Sequence, residues 1–100
     1  MTWEAKNKKR QELGIPEKAF LMVQVAEFTP NKNQKTVIKA LEKMKNVDIY
    51  YVMCGIGPEK KKLGQYVTEQ HLEKNVRFVG FRKDIHEILQ CSDCFVLSSF

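Results

Sequence analysis

The sequence predicts an open α/β fold, a parallel sheet of about four strands with helices on both faces, and three observations carry that prediction. Apolar runs and amphipathic stretches alternate along almost the whole 100-residue chain. The runs are nearly unbroken, as in Ala19–Phe28 and Val47–Cys54, which fits strands covered on both sides rather than strands with one wet face. Turn formers punctuate them, in Gly14-Ile15-Pro16, in Gly55-Ile56-Gly57-Pro58 and at Gly80. Strands joined by helical crossovers make right-handed units and hence a parallel sheet between helices. In such sheets the ligand crevice lies beyond the carboxyl ends of the strands, so function is to be sought in the loops there.

Taken in order, residues 3–13 form a lead-in helix with Thr2 as N-cap, stopped by Gly14 and Pro16. Ala19 to Phe28 is the first strand. From Asn33, Val37, Ile38, Leu41 and Met44 recur at helical spacing while Lys35, Lys39, Glu42 and Lys43 face water. Val47 to Cys54 is the second strand, and Pro58, suited to a first helical turn, opens a second crossover helix marked by Leu63, Tyr66 and Val67. Asn75 to Val79 alternates as a third strand before Gly80. Asp84 and Glu87 have capping-box spacing ahead of a short helix carrying Ile85, Ile88 and Leu89, and Cys94 to Ser98 is the fourth strand. There is no linker and no internal repeat, so residues 1–100 read as a single domain. The chain ends at the carboxyl end of a strand with no helix left to cover it, which points to a piece of a longer protein and to an exposed, association-prone face.

The composition, 43% hydrophobic and 29% charged, is that of a soluble globular domain. No apolar run approaches the roughly 20 residues needed to span a bilayer, and the N-terminus lacks the apolar core of a signal peptide, so the expected location is cytoplasmic. The net charge of +5 favours anionic partners in general. Lys6, Lys8, Lys9 and Arg10, and Lys60, Lys61 and Lys62, read as solvated helix faces. Nucleic acid is not expected as a partner, because the aromatic residues fall inside the strands and leave no stacking platform. Cys54, Cys91 and Cys94 form no disulfide framework. The Cys91-Ser-Asp-Cys94 spacing lacks two further ligands for zinc and precedes a strand rather than opening a helix, so these read as small buried residues and no metal site is expected. His71 and His86 fall on polar helix faces or ends.

Together the strand-end sequences resemble a known family. Val25-Ala-Glu-Phe-Thr-Pro-Asn-Lys32, Val52-Met-Cys-Gly-Ile-Gly-Pro58, Asn75-Val-Arg-Phe-Val-Gly80-Phe-Arg-Lys-Asp84 and Cys91-Ser-Asp-Cys-Phe-Val-Leu-Ser-Ser99, in this order, are similar to the nucleotide-sugar-binding half of group 1 (family 4) glycosyltransferases. The resemblance runs from about Gly14 onward. It implies a GT-B architecture of two facing Rossmann-like domains, of which this chain would be part of the C-terminal one, truncated at its end. The donor is a nucleoside-diphospho-sugar, transfer is retaining, and neither metal nor cofactor is needed. The acceptor is a polysaccharide or lipid-linked molecule, bound mainly by a missing N-terminal domain. The parent would work in the cytoplasm, with peripheral attachment to the inner face of the membrane.

On that resemblance Lys32 matches the lysine that contacts the donor diphosphate, where an ammonium would offset charge building on the leaving group. Gly55 and Gly57 would admit close backbone approach to the ligand. Gly80, Phe81 and Arg82 correspond to the loop that lies against the nucleobase, although Gly80 also suits a tight turn and Asp84 a helix cap. Glu27 departs from the pattern, since many relatives carry arginine there; it would orient Lys32 through an ion pair rather than touch diphosphate. The catalytic residues are not in the chain, because the expected glutamates would lie beyond Phe100, and the fragment alone is expected to be inactive.

Other readings fit less of the sequence. A phospho-receiver needs an acidic pair after the first strand and an aspartate ending the third. A dinucleotide-binding domain needs GxGxxG after its first strand, whereas this GxG follows the second. A GT-B sugar-nucleotide epimerase and a non-catalytic nucleotide-binding scaffold stay open as alternatives.

Overall fold

The computed structural model describes residues 2–29, 34–44 and 48–96. Helices and strands alternate as α1 (Trp3–Glu12), β1 (Phe20–Val25), α2 (Gln34–Glu42), β2 (Ile49–Cys54), α3 (Lys60–Glu69), β3 (Val76–Gly80), α4 (Ile85–Gln90) and β4 (Cys94–Phe95). All pairings are parallel, in the order β3-β2-β1-β4. The α/β expectation is met, and the order has a consequence for function. The chain winds outward from β1 to β3 and then returns to the other side of β1, so the direction of winding reverses between β1 and β4.

Side-chain alternation divides the core in two. Leu21 and Val23 of β1 with Tyr50, Val52 and Cys54 of β2 pack under α1 and α4, meeting Leu13, Ile15, Ile88 and Cys91. Ile49, Tyr51 and Met53 face the other way, against Ile38 and Leu41 of α2 and Leu63 and Val67 of α3. All six residues of β2 are buried, as a central strand with helices on both faces requires. On the α2 side the Tyr51 hydroxyl donates to Gln24 Oε1, and burial pushes the phenol pKa well above its usual value.

Several elements stop short of the sequence expectation. β1 ends at Val25 rather than Phe28, because Ala26–Phe28 leave the pleated strand to form the loop that carries the chain toward α2. Met44 is exposed beyond the end of α2, and Phe20 and Phe95, though within β1 and β4, lie on the surface. Of the two cysteines expected to be buried together, Cys91 is buried and Cys94 is exposed. Residues 94–95 are the described part of the fourth strand; Leu97 and Ser98 fall outside the described residues. The lead-in helix matches expectation, with Ala5 N–H donating to Thr2 Oγ1 at 3.1 Å and Gly14 in the left-handed region at φ 73°.

The basic run of α1 is a solvated face at Lys6 and Lys8, but not at Lys9, which is half-buried, or at Arg10. Arg10 is only 8% exposed. Its Nε donates to Cys91 O at 2.9 Å, Nη1 to Ala19 O at 2.9 Å and Glu17 O at 3.3 Å, and Nη2 to Asp93 Oδ2 at 2.9 Å. The same Asp93 oxygen accepts from Leu21 N–H at 2.8 Å. Burial pushes the Asp93 carboxyl up, but the Leu21 N–H and the Arg10 guanidinium outweigh it and leave its pKa lowered. One guanidinium thus ties α1 to the segments entering β1 and β4, satisfying backbone groups that the strand ladder cannot reach.

Candidate functional site

The loops at the carboxyl ends of β1, β2 and β3 are sewn together by backbone hydrogen bonds. Ala26 N–H donates to Cys54 O at 3.1 Å, Phe28 N–H to Ile56 O at 3.1 Å, Glu59 N–H to Phe28 O at 2.9 Å and Gly55 N–H to Gly80 O at 2.8 Å. This close interlock explains the two glycines. A Cβ on Gly55 would stand 2.1 Å from Ala26 O, at a φ of 139°, and one on Gly57 would stand 2.5 Å from Phe28 N. Both positions lack a side chain because the neighbouring loop passes there, which fixes the height of the rim. Gly80 differs: its φ of 71° lies in the left-handed region, but the space where a Cβ would project is open.

Beyond Gly80 the chain turns outward, and Phe81 is 76% exposed; Ile56, on the adjacent loop, is 63% exposed. Arg82 grips Asp84 with two parallel bonds, Nε to Oδ1 and Nη2 to Oδ2, both 2.8 Å. Lys9 of α1 reaches the same carboxylate, Nζ to Oδ2 at 2.9 Å, and also contacts Glu12 at 3.0 Å. These cations hold the Asp84 pKa far below the usual carboxylate range, Arg82 first and Lys9 second. Asp84 does precede α4, yet its side chain makes no capping hydrogen bond, so the capping-box expectation fails. Its oxygens point sideways to the two cations instead.

Beneath this rim, burial pushes the Cys54 thiol up to about 11, with Arg82 opposing the shift. Cys54 is buried in the core beside Val23 and Val52, where its thiol serves packing.

Lys32 falls outside the described residues, as do Pro30, Asn31 and Asn33. The structure brings Gly55, Gly57, Gly80, Phe81 and Arg82 to one rim of the sheet and places Glu27 at the exposed start of the loop after β1. One contributing residue, Gln34, gives no signal in the sequence, and another, Lys9, reads there as part of a solvated helix face. Gln34 is buried at the start of α2 and donates from Nε2 to Glu27 O at 2.8 Å, anchoring the far end of the loop that contains residue 32. Lys9 is 75 positions from Asp84, and a bond of that sequence separation leaves no local signal.

A cavity of about 450 Å³ lined by Trp3, Lys6, Arg10, Phe20 and Asp93 lies at the opposite, amino rim of β1 and β4. The donors of Arg10 there are turned onto protein acceptors, so we place the candidate site at the carboxyl rim. Among the described residues no cluster of three or more His, Cys, Asp or Glu is arranged to hold a metal, and no helix is long and apolar enough to cross a membrane.

The family model described as glycosyl transferases group 1 matches residues 5–100. The chain belongs to the group 1 glycosyltransferases. Among curated members, the lipopolysaccharide core biosynthesis glycosyltransferase LpsD of Rhizobium meliloti (strain 1021) is 32% identical over 90 residues, which are 90% of this chain and 26% of LpsD. The UDP-Gal:alpha-D-GlcNAc-diphosphoundecaprenol alpha-1,3-galactosyltransferase of Escherichia coli is 32% identical over 96 residues, 91% of this chain and 25% of that enzyme. The crystal structure of HepE from Anabaena in complex with UDP-glucose superposes with a TM-score of 0.87 at 27% identity, covering 99% of this chain and 28% of HepE. This glycosyltransferase chain spans about a quarter of the length of the curated relatives it matches.

Proposed function

We propose that this glycosyltransferase chain forms the donor-binding part of an enzyme that takes a nucleoside-diphospho-sugar and passes the sugar to a polysaccharide or lipid-linked acceptor. One observation carries the reading: the strand order β3-β2-β1-β4 puts the winding reversal, where open α/β sheets bind ligands, between β1 and β4, and the carboxyl side on which that crevice opens also carries the loops of Gly55 and Gly57 after β2 and of Gly80, Phe81 and Arg82 after β3. The solved HepE structures with UDP and with UDP-glucose, of which this chain matches a part, support the same ligand class.

In the transfer, the bond from the anomeric carbon to the diphosphate oxygen breaks and a bond to an acceptor hydroxyl oxygen forms. The hydroxyl proton goes to a base, and negative charge gathers on the departing diphosphate. The loop after β1 leads into the reversal, so an ammonium at Lys32 would meet that charge where it develops. The donor carries its own activated bond, and the reading calls for no cofactor or metal. A facing domain of the parent supplies the acceptor, and the parent works in the cytoplasm, peripherally attached to the membrane's inner face.

The test is a thermal-melt and calorimetric panel of UDP, GDP, ADP and dTDP against the chain. One of them stabilises it, by about 2.7 kcal/mol at a hundredfold excess over its Kd. Lys32→Ala weakens that nucleotide by roughly tenfold or more, in line with losing a charge-assisted contact. Failure of every nucleotide removes the donor-site reading, and an unchanged affinity in Lys32→Ala removes the role of that residue.

A further inference from the structure

The loop from Gly80 to Asp84 is braced from outside its own neighbourhood. A carboxylate directly ahead of a helix ordinarily bonds that helix's first N–H groups and stabilises it. Asp84 forgoes this and gives one oxygen to Arg82, two residues earlier, and the other jointly to Arg82 and Lys9. All three groups are half-buried, so the charges are less screened than in an exposed pair. The effect is a fixed turn. Gly80 supplies the left-handed backbone, its carbonyl is held by Gly55 N–H, and Asp84 is held to α1 by Lys9. Between these two fixed points stands Phe81, exposed among the described residues.

We propose that Lys9 and Asp84 are positioning residues for the nucleoside end of the donor: they hold Gly80–Arg82 in the shape that the base meets, with α1 as the anchor. The proposal rests on the donor-site reading above. Arg82 has one edge of its guanidinium occupied by Asp84, so it acts as a strut of the loop and Phe81 and the loop backbone are what a base encounters. Lys9 touches no ligand; it acts through Asp84. Its second partner, Glu12, contributes only an exposed pair of the kind worth little.

The experiment separates base from phosphate. Binding of UDP, GDP, ADP and inorganic pyrophosphate to the unmodified chain is compared with Lys9→Met, Lys9→Arg, Asp84→Asn and, as a control, Glu12→Gln. Lys9→Met weakens the best-bound nucleoside diphosphate by roughly fivefold, the scale expected of a residue acting through one contact, and leaves pyrophosphate unchanged. Asp84→Asn does the same more strongly, Lys9→Arg restores affinity, and Glu12→Gln has no effect. Amide exchange at residues 81–84 speeds up in Lys9→Met while that of β2 stays slow. Equal loss of nucleotide and pyrophosphate, or unchanged nucleotide affinity in both Lys9→Met and Asp84→Asn, overturns the proposal while leaving the donor site standing. If the unmodified chain binds pyrophosphate but no nucleoside diphosphate better than it, the donor-site reading and this proposal both fall.

Discussion

The two rims of the sheet use charge in opposite ways. At the amino rim Arg10 is buried, its Nε, Nη1 and Nη2 all donate to protein acceptors, and Asp93 is shared between that cation and the Leu21 N–H. At the carboxyl rim the contacts that fix the loops are backbone to backbone, and the ion group of Lys9, Arg82 and Asp84 lies beside an exposed Phe81. At the amino rim the Arg10 guanidinium is a tie among three segments, its donors already spent on protein acceptors. The carboxyl rim is a backbone-bonded frame that leaves Ile56 and Phe81 exposed among the described residues.

The largest effect that bears on this contrast is expected at the amino rim. Arg10→Met leaves the buried carbonyls of Ala19 and Cys91 without their donor and the half-exposed Asp93 carboxylate without its cation, and stability measured by urea unfolding falls by about 3–5 kcal/mol, chiefly from the two orphaned carbonyls at roughly 1–3 kcal/mol each. A loss under about 1 kcal/mol would place Arg10 among ordinary surface cations.

The next effect compares two glycines of the carboxyl rim. Gly55→Ala forces a Cβ onto Ala26 O at a positive φ and costs roughly 2–4 kcal/mol. Gly80→Ala meets open space and carries only the left-handed backbone penalty, about 1–2 kcal/mol. Equal losses would mean that the loops are not interlocked as described.

The smallest effect is a dependence on pH. The folded pKa of Asp84 lies below its unfolded value, so its contribution is complete above about 3.9 and disappears as the pH falls through the folded value. In Asp84→Asn the stability curve is therefore flatter than the parent's on the acid side of pH 4 and runs parallel to it near neutrality. Parallel curves throughout would show that Arg82 and Lys9 do not hold the carboxylate.

Much of this was legible beforehand, for physical reasons that differ by element. Strand and helix periodicity is local, so α1, α2, α3 and the sheet class followed from the spacing of residues such as Ile38, Leu41, Leu63 and Val67. The glycine turns were visible too, but not their cause: that Gly55 makes room for Ala26 depends on which strands are neighbours. Charge was the least legible. Arg10 and Lys9 sit in a run of lysines indistinguishable from a solvated face, and only the return of the chain at β4 and α4 brings Cys91, Asp93 and Asp84 to them. The capping-box spacing of Asp84 and Glu87 was a true local signal overruled by these tertiary partners. Phe20 and Phe95 do lie in strands, as their apolar runs indicate, but apolar runs do not reveal where a sheet ends, and both are exposed.

The most direct test of the central claim is an amide chemical-shift map of the isotopically labelled chain during titration with the best-binding nucleoside diphosphate. The account predicts shifts concentrated at residues 26–34, 55–59 and 80–84, with residues 15–20 and 91–93 unmoved. Shifts gathered instead around Arg10, Phe20 and Asp93 at the amino rim would contradict it.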